Sequence, residues 1–296
     1  MKVGIPKGLL YYTYHPFLQT FFSELGAEII TSSDTNKKIL DEGIKYSVDE
    51  ACLPVKIFHG HVSSLKDKCD IIVIPRIMQV REREYICPKF CGLPEMILNS
   101  IPDITETITE PIYAISKRRL YSWAEEAGSK ITKDSSRIRK AFSMALDEQK
   151  SHKQGIKDEN YKFRVALAGH PYNIYDNFIN MNIVQKLNEL GVGVITEEHV
   201  DDESIDLEVK KLYKRPFWTF ARNSYGFTVY GSREGLFDGI IYISSFACGI
   251  DSVVVELIKD KIGEFPFMIL KVDEHTGEAG LDTRVEAFVD MLERSH

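Results

Sequence analysis

One pattern is written twice in this chain, and it limits the folds open to it. Near the amino end Val3-Gly4-Ile5-Pro6 reads as a short strand, followed by a loop rich in Tyr and Pro. Phe17, Leu18, Phe21, Phe22 and Leu25 then recur at helical spacing, Gly26 stops the helix, and Ala27-Glu28-Ile29-Ile30 returns as a second strand. This is a βαβ unit. The same sentence appears later. Val165-Ala166-Leu167-Ala168 is a strand, His170-Pro171-Tyr172 a loop, and a helix carries Phe178, Val184, Leu187 and Leu190. Gly191 stops it and residues 192–195 return as a strand, so Glu24-Leu25-Gly26 and Glu189-Leu190-Gly191 hold equivalent places.

Further strand-like runs at 70–74, 239–243 and 267–272 are continuous apolar stretches, as expected of strands buried on both faces of a parallel sheet. The chain of 296 residues is long enough for about two domains at roughly 150 residues each. The reading is therefore α/β: an amino-terminal parallel-sheet domain over residues 1–115 and a carboxyl-terminal one over 161–296. Between them residues 116–160 are rich in Lys, Arg and Glu with no strand pattern, and read as a helical connector. Lys and Arg number 37 against 44 Asp and Glu, a net charge of −7, which is the wrong sign for a protein that binds by neutralising phosphates. Nucleic acid is not an expected partner. No apolar run approaches the ~18 residues of a membrane span, and the amino end lacks a signal-like apolar core, so the expected location is cytoplasmic.

Five cysteines in a chain without secretory features point to metal or redox chemistry rather than to a disulfide framework. Cys52 precedes Pro54, and Val55, Phe58, Val62 and Leu65 follow at helical spacing, which places Cys52 at a helix start. Cys87 and Cys91 flank Pro88-Lys89-Phe90 in a loop past a strand. Cys248 follows the strand at 240–244 and precedes a helix opened by Gly249-Ile250-Asp251. All four are expected at the carboxyl side of a sheet, where open α/β folds bind ligands, and are expected to converge on one cleft. Backbone N–H groups at helix starts favour thiolate and suit an anionic cluster. Cys69 opens a strand on the opposite side and is expected to be structural. Spacing alone does not choose between iron–sulfur and zinc.

Two polar loops are expected to face the same edge: His170-Pro171-Tyr172-Asn173, and Asp273-Glu274-His275-Thr276-Gly277-Glu278 after the last strand. His59 and His61 straddle Gly60 and read as hydrogen-bonding residues within a helix. Lys7-Gly8-Leu9-Leu10-Tyr11-Tyr12-Thr13-Tyr14 reads as packing. The sequence holds neither GxGxxG, nor GxxxxGK[ST], nor GxSxG, which removes the usual dinucleotide, nucleoside-triphosphate and serine-hydrolase sites.

The segments Gly4-Ile5-Pro6-Lys7-Gly8, Glu50-Ala51-Cys52-Leu53-Pro54-Val55-Lys56, Cys87-Pro88-Lys89-Phe90-Cys91, Gly169-His170-Pro171-Tyr172, Ala247-Cys248-Gly249-Ile250-Asp251-Ser252 and Asp273-Glu274-His275-Thr276-Gly277-Glu278-Ala279-Gly280 together resemble a family. It is the acyl-CoA dehydratase activase-related group, kin of the subunits of 2-hydroxyacyl-CoA dehydratase and benzoyl-CoA reductase. The resemblance implies two flavodoxin-like domains and a [4Fe-4S] cluster in a protein of anaerobic metabolism. It also implies an ATP-dependent activase, with its own iron–sulfur cluster, as electron donor, and an acyl-CoA as substrate. Carried onto this sequence, the matching cysteines and expected cluster ligands are Cys52, Cys87, Cys91 and Cys248. If a substrate binds at the cluster, His170 and His275 in the two polar loops are the candidate proton shuttles. In the dehydratases proper three cysteines hold the cluster and one iron stays open, so three or four ligands are both open here. A double cubane needs six thiolates and is set aside. Two other readings remain: a cluster-bearing adaptor or redox switch without catalysis, and a structural zinc site joining two domains.

Overall fold

The computed structural model describes residues 1–295. The chain divides into two compact units, Met1–Lys153 and Gln154–His296. Both are parallel α/β folds of the flavodoxin and Rossmann kind.

In the first unit, β1 (Lys2–Ile5), α1 (Tyr11–Glu24) and β2 (Glu28–Thr31) form the expected crossover, and β1 pairs with β2 in parallel. Two helices follow, α2 (Lys37–Lys45) and α3 (Leu53–Ser63), and then β3 (Ile71–Val73), which lies on the other side of β1. Next come β4 (Arg76–Gln79), α4 (Pro88–Cys91), α5 (Leu93–Ser100), β5 (Glu106–Ile108) and β6 (Pro111–Tyr113). The main sheet has the order β2-β1-β3-β5, while β4 and β6 form a separate parallel pair. Pro75, between β3 and β4, has no N–H to give the ladder, and the sheet is interrupted there.

The segment 116–160, expected as a connector, differs from that reading. It forms α6 (Lys117–Ser129) and α7 (Ser135–Ser151), and both belong to the first unit. The reason lies in its apolar stripes. Trp123, Ala124 and Ala127 on α6 and Ile138, Ala141, Phe142 and Ala145 on α7 are buried beneath the charged faces. They pack on α1, with Trp123 at 5.8 Å from Phe21 and Phe142 at 6.1 Å from Phe17 between ring centroids. The chain passes into the second unit after Lys153.

The second unit repeats the plan. It contains β7 (Phe163–Gly169), α8 (Pro171–Tyr175), α9 (Ile183–Glu189), β8 (Val192–Ile195), α10 (Asp202–Val209), α11 (Thr219–Glu234), β9 (Gly239–Ser245), α12 (Gly249–Ile262), β10 (Phe267–Val272) and α13 (Glu278–Ser295). All pairings are parallel, in the order β10-β9-β7-β8. Read from its own first strand, each main sheet has the order two, one, three, four. The repeat extends to detail: Gly26 and Gly191, which end the equivalent helices, both have positive φ, 84° and 77°. Two local readings change. His170 caps a short helix rather than sitting in an open loop, and the helix after it begins at Ile183, because Met181 and Asn182 have positive φ and break it. Among the described residues, no helix is long and apolar enough to cross a membrane.

Two features of the first unit bear on function. The backbones of α2 and α3 touch: a Cβ on Gly43 would lie 1.9 Å from Lys56 O, and one on Gly60 1.8 Å from Ile39 O. This contact fixes α3 and with it Cys52, its amino-terminal cap. Between α1, α6, α7 and the strand ends lies an apolar cavity of about 290 Å³. Replacing Gly60 by Ala forces the two helices apart and is expected to lower unfolding free energy by about 1–3 kcal/mol in denaturant titration. An unchanged midpoint and slope would contradict the close crossing.

Candidate functional site

In each sheet the strand order reverses beside its first strand, between β1 and β3 and between β7 and β9. Such a reversal opens a crevice at the carboxyl ends of the strands. The second unit fills its crevice with a buried polar cluster. Gly169 ends β7 with φ 138°, and a Cβ there would lie 2.4 Å from Ile243 O, so only glycine lets β7 close on β9 and deliver the next residue. That residue is His170, buried. Its Nδ1 meets the Tyr172 hydroxyl, and its Nε2 lies 2.9 Å from Asp251 Oδ1, an ion-pair distance. Tyr242 OH donates to the same carboxylate oxygen at 2.8 Å. Ser245 Oγ donates to Asn173 Oδ1 at 3.1 Å, and Asn173 Nδ2 donates to Ile243 O at 3.3 Å, which ties α8 to the end of β9.

Cys248 caps α12 beside this cluster. One ligand-type atom each from His170, Cys248 and Asp251 lie within 4.8 Å of one another. Burial is the largest influence on the thiol, pushing its pKa up to about 12, and the Asp251 carboxylate adds to this against the backbone N–H groups of Ile250 and Asp251. The expectation that a helix start favours thiolate is therefore overturned at this position for the protein without a metal. Here desolvation and a neighbouring carboxylate outweigh two N–H donors. Asp251 behaves in the opposite way. Burial opposes its ionisation, but the positive charge of His170 and hydrogen bonds from His170, Tyr242 and Ser244 hold its pKa below the ordinary carboxylate value.

The other strand-end thiols belong to the first unit. Cys52 caps α3, and Cys87 and Cys91 bracket the single turn of α4, which replaces the loop read from sequence. Cys52 and Cys87 are half-buried, Cys91 is exposed, and none is in a disulfide. Topology puts all three beyond the carboxyl ends of strands, since α3 leads back to the start of β3 and α4 follows β4. Cys69 stands at the other end: Asp70 N bonds Lys2 O at the start of β1, and the Cys69 sulfur fits against Gly4. Burial, then Asp70, raise its pKa.

The histidines divide by role. His61 is buried in α3, with Nδ1 2.9 Å from Ser32 Oγ and Nε2 3.0 Å from Thr35 Oγ1, and burial lowers its pKa to about 3. His59 donates from Nδ1 to Val55 O at 2.8 Å. His275, in the loop after β10, is exposed, its backbone N–H bonding Asp273 Oδ1 at 3.0 Å. His170 and His275 follow strands separated by β9, so their loops start about 10 Å apart at two strand spacings. Asp251 was not singled out from the sequence as a partner of His170. An acid three residues past a helix cap usually signals a first-turn charge, and only the strand order shows that it faces β7.

The chain matches the CoA enzyme activase uncharacterised domain over residues 2–200 and the 2-hydroxyglutaryl-CoA dehydratase D-component over residues 112–292. It belongs to the family of activase-related proteins and dehydratase D-components that these two descriptions define. No curated protein matches it. Solved structures similar to it include a manganese-bound periplasmic metal-binding protein from Candidatus Liberibacter asiaticus, at 12% identity and TM-score 0.28, covering 99% of this chain and 100% of that one. A nitrogenase Cp1 structure aligns at 9% identity and TM-score 0.24 over 98% of this chain and 56% of its own. Glutamate racemase RacE1 from Bacillus anthracis aligns at 13% identity and TM-score 0.22 over 97% and 82%. Superpositions this loose carry neither fold nor chemistry across.

His61 supplies a pH test of the first unit. Its pKa in the fold is near 3 against 6.5 when free, so the unfolded chain takes up the proton first as pH falls. Its contribution is complete above about 6.5 and is lost as pH drops toward about 3. Unfolding free energy measured across that window is expected to lose about one proton of pH dependence in His61→Gln. Equal slopes in the two proteins would contradict a buried neutral His61.

Proposed function

We propose that this chain is an iron–sulfur electron-transfer component of acyl-CoA chemistry, with a [4Fe-4S] cluster held by Cys52, Cys87, Cys91 and Cys248. Family membership supports the acyl-CoA setting and the pairing with an activase; on this reading the activase is ATP-dependent and brings electrons from a cluster of its own. The observation that carries the reading is the sorting of the thiols. Four lie at helix caps or ends past strand carboxyl ends, while Cys69 is folded against Gly4 at the amino end.

The donor chemistry fits such a cluster. Cys248 has a sulfur with backbone N–H donors from Ile250 and Asp251, in a buried place where only a cationic partner makes thiolate favourable. When bound, the cluster supplies one-electron transfer at low potential, tuned by N–H groups and solvent access. The chain's own residues do the rest. His275, exposed after β10, exchanges a proton with water at its ring. His170 is held on both ring nitrogens, by Tyr172 and Asp251, and passes a proton only through that pair. Asp251 also keeps negative charge beside Cys248, which disfavours further reduction there.

A second reading rests on a separate observation. The imidazole, thiol and carboxylate of His170, Cys248 and Asp251 make a donor set that also suits a single zinc ion.

Cysteine variants reconstituted anaerobically with iron and sulfide separate these readings. Cys87→Ser and Cys91→Ser are expected to lose most of the iron and sulfide, and Cys69→Ser to retain it. Loss in Cys248→Ser supports four-thiolate ligation, and retention with a shifted potential supports three thiolates and an open iron. Iron retained in Cys87→Ser but lost in Cys69→Ser would overturn the assignment. Zinc retained in wild type and lost in His170→Ala would favour the single ion. An acyl-CoA assay with activase, ATP and reductant then distinguishes a catalytic component from an adaptor that accepts electrons and converts nothing.

A further inference from the structure

The first unit contains a site that the cluster reading does not use, the cavity of about 290 Å³. Phe17, Leu18, Phe58, Phe90 and Trp123 give it an aromatic and aliphatic wall, and no charged side chain lines it. Its polar groups are already engaged or neutral. Gln149 donates from Nε2 to Thr13 O at 2.9 Å and accepts from Phe17 N on Oε1 at 3.3 Å. Those two backbone groups are the helical pair separated by Pro16 inside α1, so Gln149 closes a break in the helix rather than presenting its amide to a ligand. Tyr11 OH accepts from Gln19 at 3.0 Å, and burial pushes the Tyr14 phenol up to about 12.

Two local departures from regular structure coincide at this cavity. Leu9, in the wall, has φ 53°, a left-handed conformation that a leucine rarely adopts. Pro16 interrupts α1 along the same wall. The cavity itself forgoes the dispersion contacts that a filled core would make. They fall beside the carboxyl ends of β1 and β3, where the strand order reverses and open sheets place their ligands.

We propose that this cavity binds a hydrocarbon group of about ten carbons, given that a cavity of ~150 Å³ accepts benzene. Selection is by length and apolarity, since no charged side chain lines the cavity and its wall is mostly aliphatic and aromatic. Leu120, Leu146, Val80 and Ala114 are half-buried, as are Tyr11, Tyr14 and Gln149, and these residues mark the partly open side from which the chain enters. Phe90 lies between Cys87 and Cys91 on α4, so the bound group braces the turn that carries both thiols. The proposal rests on the first unit alone and holds for protein without metal, so its failure leaves the cluster assignment untouched.

The test is titration of the full-length protein with unbranched alcohols from hexanol to dodecanol, followed by Trp123 fluorescence and by unfolding temperature. Saturable binding is expected, tightest near decanol, with a rise in unfolding temperature. Leu146→Trp and Ala114→Phe fill the cavity from its mouth, and each is expected to weaken decanol binding at least about tenfold while remaining folded. If one variant does not fold, the other carries the comparison. A response in wild type that is non-saturable or independent of chain length would overturn the proposal. So would undiminished binding in a folded filled variant.

Discussion

Parallel pairing with a reversal of strand order beside the first strand is the constraint on which each unit depends. Parallel strands need crossover helices, and those helices return to the same edge of the sheet. A change in crossover direction leaves neighbouring strand ends uncovered at that edge. In the second unit the opening between β7 and β9 receives His170, Asp251, Tyr242 and Cys248. In the first, the opening between β1 and β3 borders the apolar cavity, with Cys52 and Cys87 capping α3 and α4 and Cys91 ending α4 past strand ends. The same topology thus makes one polar and one apolar crevice, and the residues after the strands decide which.

The polar crevice is governed by desolvation. A half-buried thiol beside a buried carboxylate is a poor place for a second negative charge, and desolvation with the Asp251 charge pushes Cys248 up to about 12. The carboxylate stays ionised because His170, Tyr242 and Ser244 hydrogen-bond to it. A metal would reverse the balance at the sulfur by supplying positive charge.

Much of the fold was legible because its signals are local. Gly26 and Gly191 end equivalent helices with positive φ, and the apolar runs at 71–73 and 239–245 became the central strands. The cysteines at helix caps were legible for the same reason, since Pro54 and Gly249 mark the helix starts within a residue or two. What escaped depends on tertiary placement. The charged surfaces of α6 and α7 concealed the stripe that buries Trp123 and Phe142 against α1. Asp251 looked like a first-turn acid until β9 was seen to lie beside β7. Pro16 read as part of the loop before α1, whereas the helix begins at Tyr11 and Gln149, far along the chain, bonds the backbone pair that flanks it, which has no sequence signature.

The central claim is that the strand-end thiols hold an iron–sulfur cluster, and Mössbauer spectroscopy of wild-type protein reconstituted anaerobically with iron and sulfide tests it most directly. The account predicts the signature of a sulfur-coordinated [4Fe-4S] cluster in which most of the bound iron resides. Iron bound only as single ions with nitrogen and oxygen ligands, or protein that excludes iron and takes up zinc in its place, would contradict it.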